Sequence, residues 1–174
     1  MHNRAQFWSA VPEWSQVALH GDGIHAAPVS TAAAWLVSGN ADAFLAHHNL
    51  DRILGPRQRC DATHYALRLA PDRLLFVSEA PASTTFGWSP QGHAVTDISD
   101  GLVIIDISGE TAAELMAQGS AYPFTAATRV PHESASMQFA GLRLAASRRA
   151  RGWRLHIERP WAPALWRWLQ AHIE

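Results

Sequence analysis

"DISDGLVIIDISGETAAELMAQG", residues 97–119, contains the feature that decides the fold, an apolar strand that enters a helix through a Ser-Gly turn. Such a turn either binds phosphate or simply begins a helix. A Walker A loop needs a lysine after its glycines, and the chain has no lysine. Glu110 would also repel an anion, whereas Ser108 or Thr111 can cap the helix. The turn at Ser108-Gly109 is therefore predicted to be structural.

An earlier stretch repeats this arrangement. "WLVSGNADAFLA", residues 35–46, matches "IDISGETAAELM", residues 105–116, at Ser-Gly and in its apolar pattern. Each turn leads into a predicted helix and then into two predicted strands. The helices are predicted at 40–54, with Asn40 as N-cap, and at 110–119; the strands after them are predicted at 63–70, 73–80, 137–147 and 153–159. A last helix is expected after Pro160.

These patterns predict an α+β fold in which a β-α-β-β unit is duplicated. One compact domain is expected over residues 29–174, made of two half-repeats at about 29–90 and 95–174. Residues 1–28 contain two prolines and a Gly-Asp-Gly sequence. They are predicted to form an N-terminal arm that lies across the core rather than a regular element.

The composition excludes several classes of function. The 174 residues carry a formal net charge of -1, which gives no overall attraction to nucleic acid or to an anionic membrane. A single cysteine, Cys60, excludes an internal disulfide and a cysteine-rich zinc site. The sequence shows neither a signal-peptide pattern nor an apolar run of about 18 residues. We therefore expect a cytoplasmic protein without membrane or nucleic-acid partners.

The chain has eight tryptophans, an unusual number for its length. Each ring carries roughly 150–250 Å² of surface, so a small domain cannot easily bury all of them. Aromatic side chains are enriched at protein interfaces. The tryptophans predicted to form an interface with a partner protein are Trp8, Trp14, Trp161 and Trp166.

No residue set predicts an active site. The ten histidines include no H-E-x-x-H motif and no pair spaced four residues apart. Cys60, Asp61 and His64 lie close in sequence, but nothing marks the thiol as activated. The arginines between residues 148 and 154 are typical of a solvated hairpin. The residues thus favour a subunit or binding module with no catalytic residues, no bound metal and no cofactor of its own.

The segment 95–170 resembles a known superfamily. "VTDISDGLVIIDISGETAAELMAQGSAYPF" is similar to the aminomethyltransferase/YgfZ-type folate-binding superfamily, and most similar to the gamma subunit of heterotetrameric sarcosine oxidase. The ending "RLHIERPWAPALWRWL" extends the similarity, which is weaker over 29–90. The matching residues of the central segment are Asp97, Ser99, Gly101, Ser108, Gly109, Ala112, Leu115 and Gly119.

The resemblance implies a compact duplicated fold of the folate-binding-domain type. It also implies a small non-catalytic subunit of a heterotetrameric complex that oxidatively demethylates sarcosine or a related N-methylamine, with tetrahydrofolate as one-carbon acceptor. The larger alpha and beta flavoprotein subunits, together with a small delta subunit, would be its partners. FAD, FMN, NAD and tetrahydrofolate would be held by those other subunits.

The sequence also departs from that superfamily. Between Leu115 and Ile157 the only acidic residue is Glu133, so no carboxylate takes over the role of the transferase aspartate. Pro160 replaces the serine that the gamma subunits carry in the turn before the last helix. An alternative interpretation is a stand-alone YgfZ-like protein that binds tetrahydrofolate itself.

Overall fold

Two six-stranded sheets and three helices make up the described part of the chain. The computed structural model describes residues 11–50, 53–124 and 133–174. The strands are β1 (Leu19–Gly21), β2 (Ile24–Pro28), β3 (Ala33–Gly39), β4 (Ile53–Leu54), β5 (His64–Ala70), β6 (Arg73–Ser78), β7 (Gly87–Ser89), β8 (His93–Asp97), β9 (Leu102–Gly109), β10 (Ser136–Phe139), β11 (Leu142–Arg149) and β12 (Gly152–Glu158). The helices are α1 (Ala41–His47), α2 (Ala112–Gly119) and α3 (Ala162–Ile173).

The two sheets have matching strand orders. One sheet runs β1-β2-β9-β12-β11-β10 and the other runs β7-β8-β3-β6-β5-β4. In the first sheet β2 pairs with β9, which ends in Ser-Gly, and β9 pairs with β12. In the second sheet β8 pairs with β3, which also ends in Ser-Gly, and β3 pairs with β6. The mixed α+β class expected from the sequence is confirmed. The two sheets differ at one edge strand: β10 pairs with β11 in antiparallel fashion, whereas the corresponding strand β4 pairs with β5 in parallel.

The apolar residues form three clusters, which show how the layers pack. One lies between the first sheet and α2 with α3, and contains Leu115 and Leu169. A second lies between the other sheet and α1, and contains Phe44. The third lies between the two sheets and includes Leu67 and Ile104. The layers therefore follow the order helices, sheet, sheet, helix. The space between the two sheets, called the middle layer below, contains the candidate site.

The predicted arm at 1–28 is wrong for its last third. Residues 19–28 form the hairpin β1–β2, and β2 pairs with β9 from Ile24 opposite Gly109 to Pro28 opposite Ile105. Leu19 and Ala26 are buried in the core. Short strands around a Gly-Asp-Gly turn gave no periodicity long enough to be recognised. The first sheet is thus completed by the beginning of the chain.

The first helix is shorter than predicted. α1 begins where expected, because the Asn40 side chain accepts a hydrogen bond from the backbone N–H of Ala43 at 3.2 Å. It ends at His47 instead of continuing to residue 54. Asn49 has a positive φ of 52°, which turns the chain out of the helix. Ile53 and Leu54 then pair with β5 as a strand.

The strand predicted at 137–147 is two strands. β10 and β11 form a hairpin whose turn contains Ala140 and Gly141, both at positive φ. The alternating pattern continues through this turn, and therefore hid it in the sequence. The other predicted strands and the last helix agree with the structure within a few residues.

The Ser-Gly turn before α2 packs against the β1–β2 turn, and the predicted side-chain cap by Ser108 or Thr111 is not formed. Gly109 has a φ of 126°, and a Cβ atom there would overlap the carbonyl oxygen of Gly23. The same carbonyl accepts the N–H of Thr111 at 3.3 Å. Thr111 is the N-cap residue, but its side chain makes no capping hydrogen bond. The β1–β2 turn therefore fills the space that a phosphate would need.

We predict that Gly109→Ala destabilises the protein by more than about 2 kcal/mol, because it adds both a clash with backbone and a left-handed strain. Gly101→Ala is the matched control, since nothing lies within 4 Å of a Cβ there. Urea unfolding of both variants measures the free energies of unfolding. Equal stability of the two variants would contradict the close packing of the two turns.

Candidate functional site

The middle layer between the sheets contains a buried ion-pair network. Arg154, on β12, is 2% exposed. Its guanidinium donates to both carboxylate oxygens of Asp106 on β9, at 2.6 and 2.7 Å, and to Glu79 just after β6. Asp106 belongs to the same sheet as Arg154, whereas Glu79 belongs to the other. The network thus connects the two sheets through charge-assisted hydrogen bonds.

A second buried pair lies beside this network. The Nδ1 atom of His156 is 3.2 Å from the carbonyl oxygen of Ala145, and a carbonyl can only accept a hydrogen bond. Nδ1 therefore carries the proton, and Nε2 accepts from the hydroxyl of Tyr65 at 2.8 Å. Tyr65 lies on the opposite sheet, so this hydrogen bond also joins the two sheets.

The protonation states in this layer follow from burial. Burial lowers the pKa of His156 to about 3, and the positive charges of Arg154 and Arg149 act in the same direction. Burial raises the pKa of Tyr65 well above its ordinary value. For Arg154, burial works to lower the pKa, but the bonds to Asp106 outweigh it and raise the pKa. At neutral pH the layer holds a neutral histidine, a neutral tyrosine and a charged arginine.

These groups have little capacity for chemistry. Both nitrogens of His156 are occupied by other protein groups, and the guanidinium of Arg154 is bound by two carboxylates. A general base needs a free lone pair within reach of a substrate proton. The arrangement is suited to holding two sheets together. The prediction that the arginines between residues 148 and 154 form a solvated hairpin is wrong for Arg154, which is 2% exposed. Its partners Asp106 and Glu79 lie far from it in the chain, so no local pattern revealed the network.

At one end the middle layer opens into a cleft of about 480 Å³. Its floor includes His156 and its rim includes Arg73, Arg143 and Glu158. The walls are mainly aliphatic. A second cavity, of about 410 Å³, is lined by Asp106 at another part of the network. Trp14, Trp161 and Trp166 do not line the 480 Å³ cleft.

The predicted interface tryptophans do not form one surface. Trp166 is 4% exposed and lies in the core between α3 and the first sheet, so it cannot contribute to an exposed patch. Trp14 is half-buried and packs edge-on against Trp166, with ring centroids 5.8 Å apart. Trp161 is 54% exposed. Trp8 lies outside the described residues.

Two exposed aromatic residues were missed from the sequence. Trp88, on the edge strand β7, is 73% exposed, and Phe86 just before it is 51% exposed. Phe86 packs edge-on against the buried Trp35 at 6.0 Å. The three-residue strand β7 (Gly87–Ser89) is too short to show a periodicity from which exposure can be read. Both side chains are exposed because they lie at a sheet edge, and the sequence alone does not show where that edge is.

Within residues 11–50, 53–124 and 133–174, no group of three or more histidine, cysteine or acidic side chains is placed to hold a metal ion. In the same ranges, no helix has the length and apolar character needed to cross a membrane. Cys60 is a buried free thiol. Its carbonyl accepts a hydrogen bond from Arg149 at 2.5 Å, so this loop also supports the contact between the sheets.

Comparison with solved structures finds this fold in a chain of the heterotetrameric sarcosine oxidase from Corynebacterium sp. U-96, determined in complex with pyrrole 2-carboxylate. The two chains are 15% identical and superpose with a TM-score of 0.62. The alignment covers 86% of this chain and 83% of the other. No protein-family model matches the sequence, and no curated protein sequence matches it. At this level of identity the likeness establishes a shared fold.

We predict that the protein loses stability in mild acid because of His156. The pKa of this side chain is about 3 when folded, and 6.5 is the ordinary value that applies when the chain is unfolded. Between these values only the unfolded chain takes up the proton, so acid favours unfolding. The free energy of unfolding should fall by about 1 kcal/mol from pH 6 to pH 5 through this group alone.

The measurement is urea unfolding at both pH values for the native protein and for His156→Gln, whose amide does not titrate. The variant should lose about 1 kcal/mol less than the native protein over this interval. Equal losses in the two proteins would show that His156 takes up its proton in the folded state as well.

Proposed function

We propose that this chain is the small, non-catalytic structural subunit of a heterotetrameric sarcosine-oxidase-like complex in the cytoplasm. The observation that carries the proposal is the shared fold with a chain of such a complex over most of the length of both chains. A match over most of both chains favours an equivalent role more than a match confined to a small part of either chain would. The sequence resemblance at 95–170 independently points to the gamma subunit of the same complexes.

The chemistry of the middle layer supports a structural role. Arg154, Tyr65 and His156 are satisfied by each other and by neighbouring protein groups. A catalytic site would instead present at least one such group to a substrate. The subunit would thus contribute shape and contact surface, while the reaction takes place in other chains.

The complex would oxidatively demethylate sarcosine or a related N-methylamine and pass the one-carbon unit to tetrahydrofolate. In this proposal the alpha and beta subunits hold FAD, FMN, NAD and tetrahydrofolate, and a delta subunit completes the complex. The Ser108-Gly109 turn does not fit the phosphate of such a cofactor, because the Gly23 carbonyl packs against it. The duplicated folate-binding-domain fold is part of the same proposal.

Exposed aromatic side chains are the best candidates for the contact with larger subunits. Trp161 is the exposed tryptophan among the described members of the predicted interface set. Trp88 is added as a candidate because its side chain is also exposed. A tryptophan that leaves water on assembly can contribute several kcal/mol to binding. We infer that at least one of these two side chains is covered in the complex.

The test is co-expression of this chain with the neighbouring reading frames of its native operon, followed by size-exclusion chromatography at protein and flavin wavelengths. We expect the chain to elute with larger, yellow partners. Trp161→Ala or Trp88→Ala should reduce the co-eluting fraction, whereas Gln118→Ala, at an exposed position on α2, should not. Elution of the native chain alone and colourless would overturn the subunit proposal.

A further inference from the structure

The cleft between the sheets has the properties of a small-molecule site. Its volume of about 480 Å³ falls within the roughly 300–1,000 Å³ of such sites. It lies between two sheets whose relative position is fixed by the buried network, so it is preformed. The aliphatic side chains that line it are Leu36, Leu69, Leu75, Ile98, Leu102 and Leu144.

The apolar lining of the cleft differs from the charged residues at the matching position of the other sheet. Leu36 on β3 pairs with Leu75 on β6, and at the matching register of the other sheet Asp106 pairs with Arg154. The ion pair fills its part of the middle layer by reaching across to Glu79. The leucine pair has no such extension and leaves apolar surface at the cleft. Apolar surface in a concave site favours an apolar occupant.

The rim of the cleft adds a preference for negative charge. Arg73 and Arg143 line it, and neither forms an ion pair with a carboxylate in the part of the chain that the structure describes. The Nε atom of Arg143 donates to the hydroxyl of Ser136, also a lining residue, at 3.4 Å. Glu158 is the one acidic side chain among the described lining residues, so the rim has an excess of one positive charge.

The floor of the cleft disfavours a heteroaromatic ligand. His156 is the one aromatic ring among the described lining residues, and both its nitrogens already have partners. A polar ring placed there would find neither an aromatic face of matching size nor free donors and acceptors. A flexible aliphatic chain needs only the leucine and isoleucine side chains.

We propose that this cleft binds a small aliphatic monocarboxylate, with its chain against the leucines of both sheets and its carboxylate between Arg73 and Arg143. Guanidinium groups recognise carboxylates through charge-assisted hydrogen bonds. Neither Trp88 nor Trp161 lines the cleft, and the proposal does not depend on the proposed role in a complex.

Isothermal titration of the full chain with sodium decanoate, below its micelle concentration, tests this directly. We expect saturable binding of one decanoate per chain. Decanamide, which has the same chain length but no charge, should bind about tenfold more weakly or worse, because the charge-assisted bonds are lost. Absence of saturable decanoate binding, or equal binding of the two compounds, would overturn the proposal.

The double variant Arg73→Gln/Arg143→Gln tests the two arginines. Both side chains are exposed, so the fold should persist. Decanoate affinity should drop about tenfold or more. Arg167→Gln, which removes an exposed charge from α3, is the control and should bind decanoate like the native chain. Native affinity in the double variant would also overturn the assignment.

Discussion

The contact between the guanidinium of Arg154 and its two carboxylates is the interaction on which this structure depends. A buried arginine is costly unless every part of its charge is compensated. Asp106 supplies one partner from the neighbouring strand, and Glu79 supplies the other from the opposite sheet. The two sheets must therefore meet at this point and in this orientation. The Tyr65–His156 hydrogen bond and the surrounding apolar cluster then complete the same contact.

This constraint explains both the closed and the open part of the middle layer. Where charged groups cross between the sheets, Arg154 and His156 both have hydrogen-bond partners. Where leucines occupy the matching register, no group crosses and the cleft forms. The same two-sheet plan thus gives one half a structural cross-link and the other half a cavity.

Much of the fold could be predicted because it rests on local signals. The Asn40 cap, the two Ser-Gly turns and the long strands depend on residues close in sequence. The hairpin at 19–28 could not be predicted, since its stability comes from pairing with β9, about eighty residues later in the chain. Trp166 illustrates the same limit. Its burial depends on where α3 packs, which no local pattern reveals. The ion-pair network and the cleft are likewise products of tertiary arrangement alone.

We infer that the buried polar groups of this chain hold the sheets together and, in the proposed complex, take no part in catalysis. The double variant Asp106→Leu/Arg154→Leu tests it, because it copies the Leu36–Leu75 pair of the other sheet. The measurement is turnover of sarcosine per bound flavin in the co-expressed complex that carries this variant. We expect native turnover per flavin in the complex that assembles, and a lower free energy of unfolding for the variant chain, because Glu79 loses its cross-sheet partner Arg154. Loss of turnover in a complex with unchanged subunits and flavin content would contradict this inference.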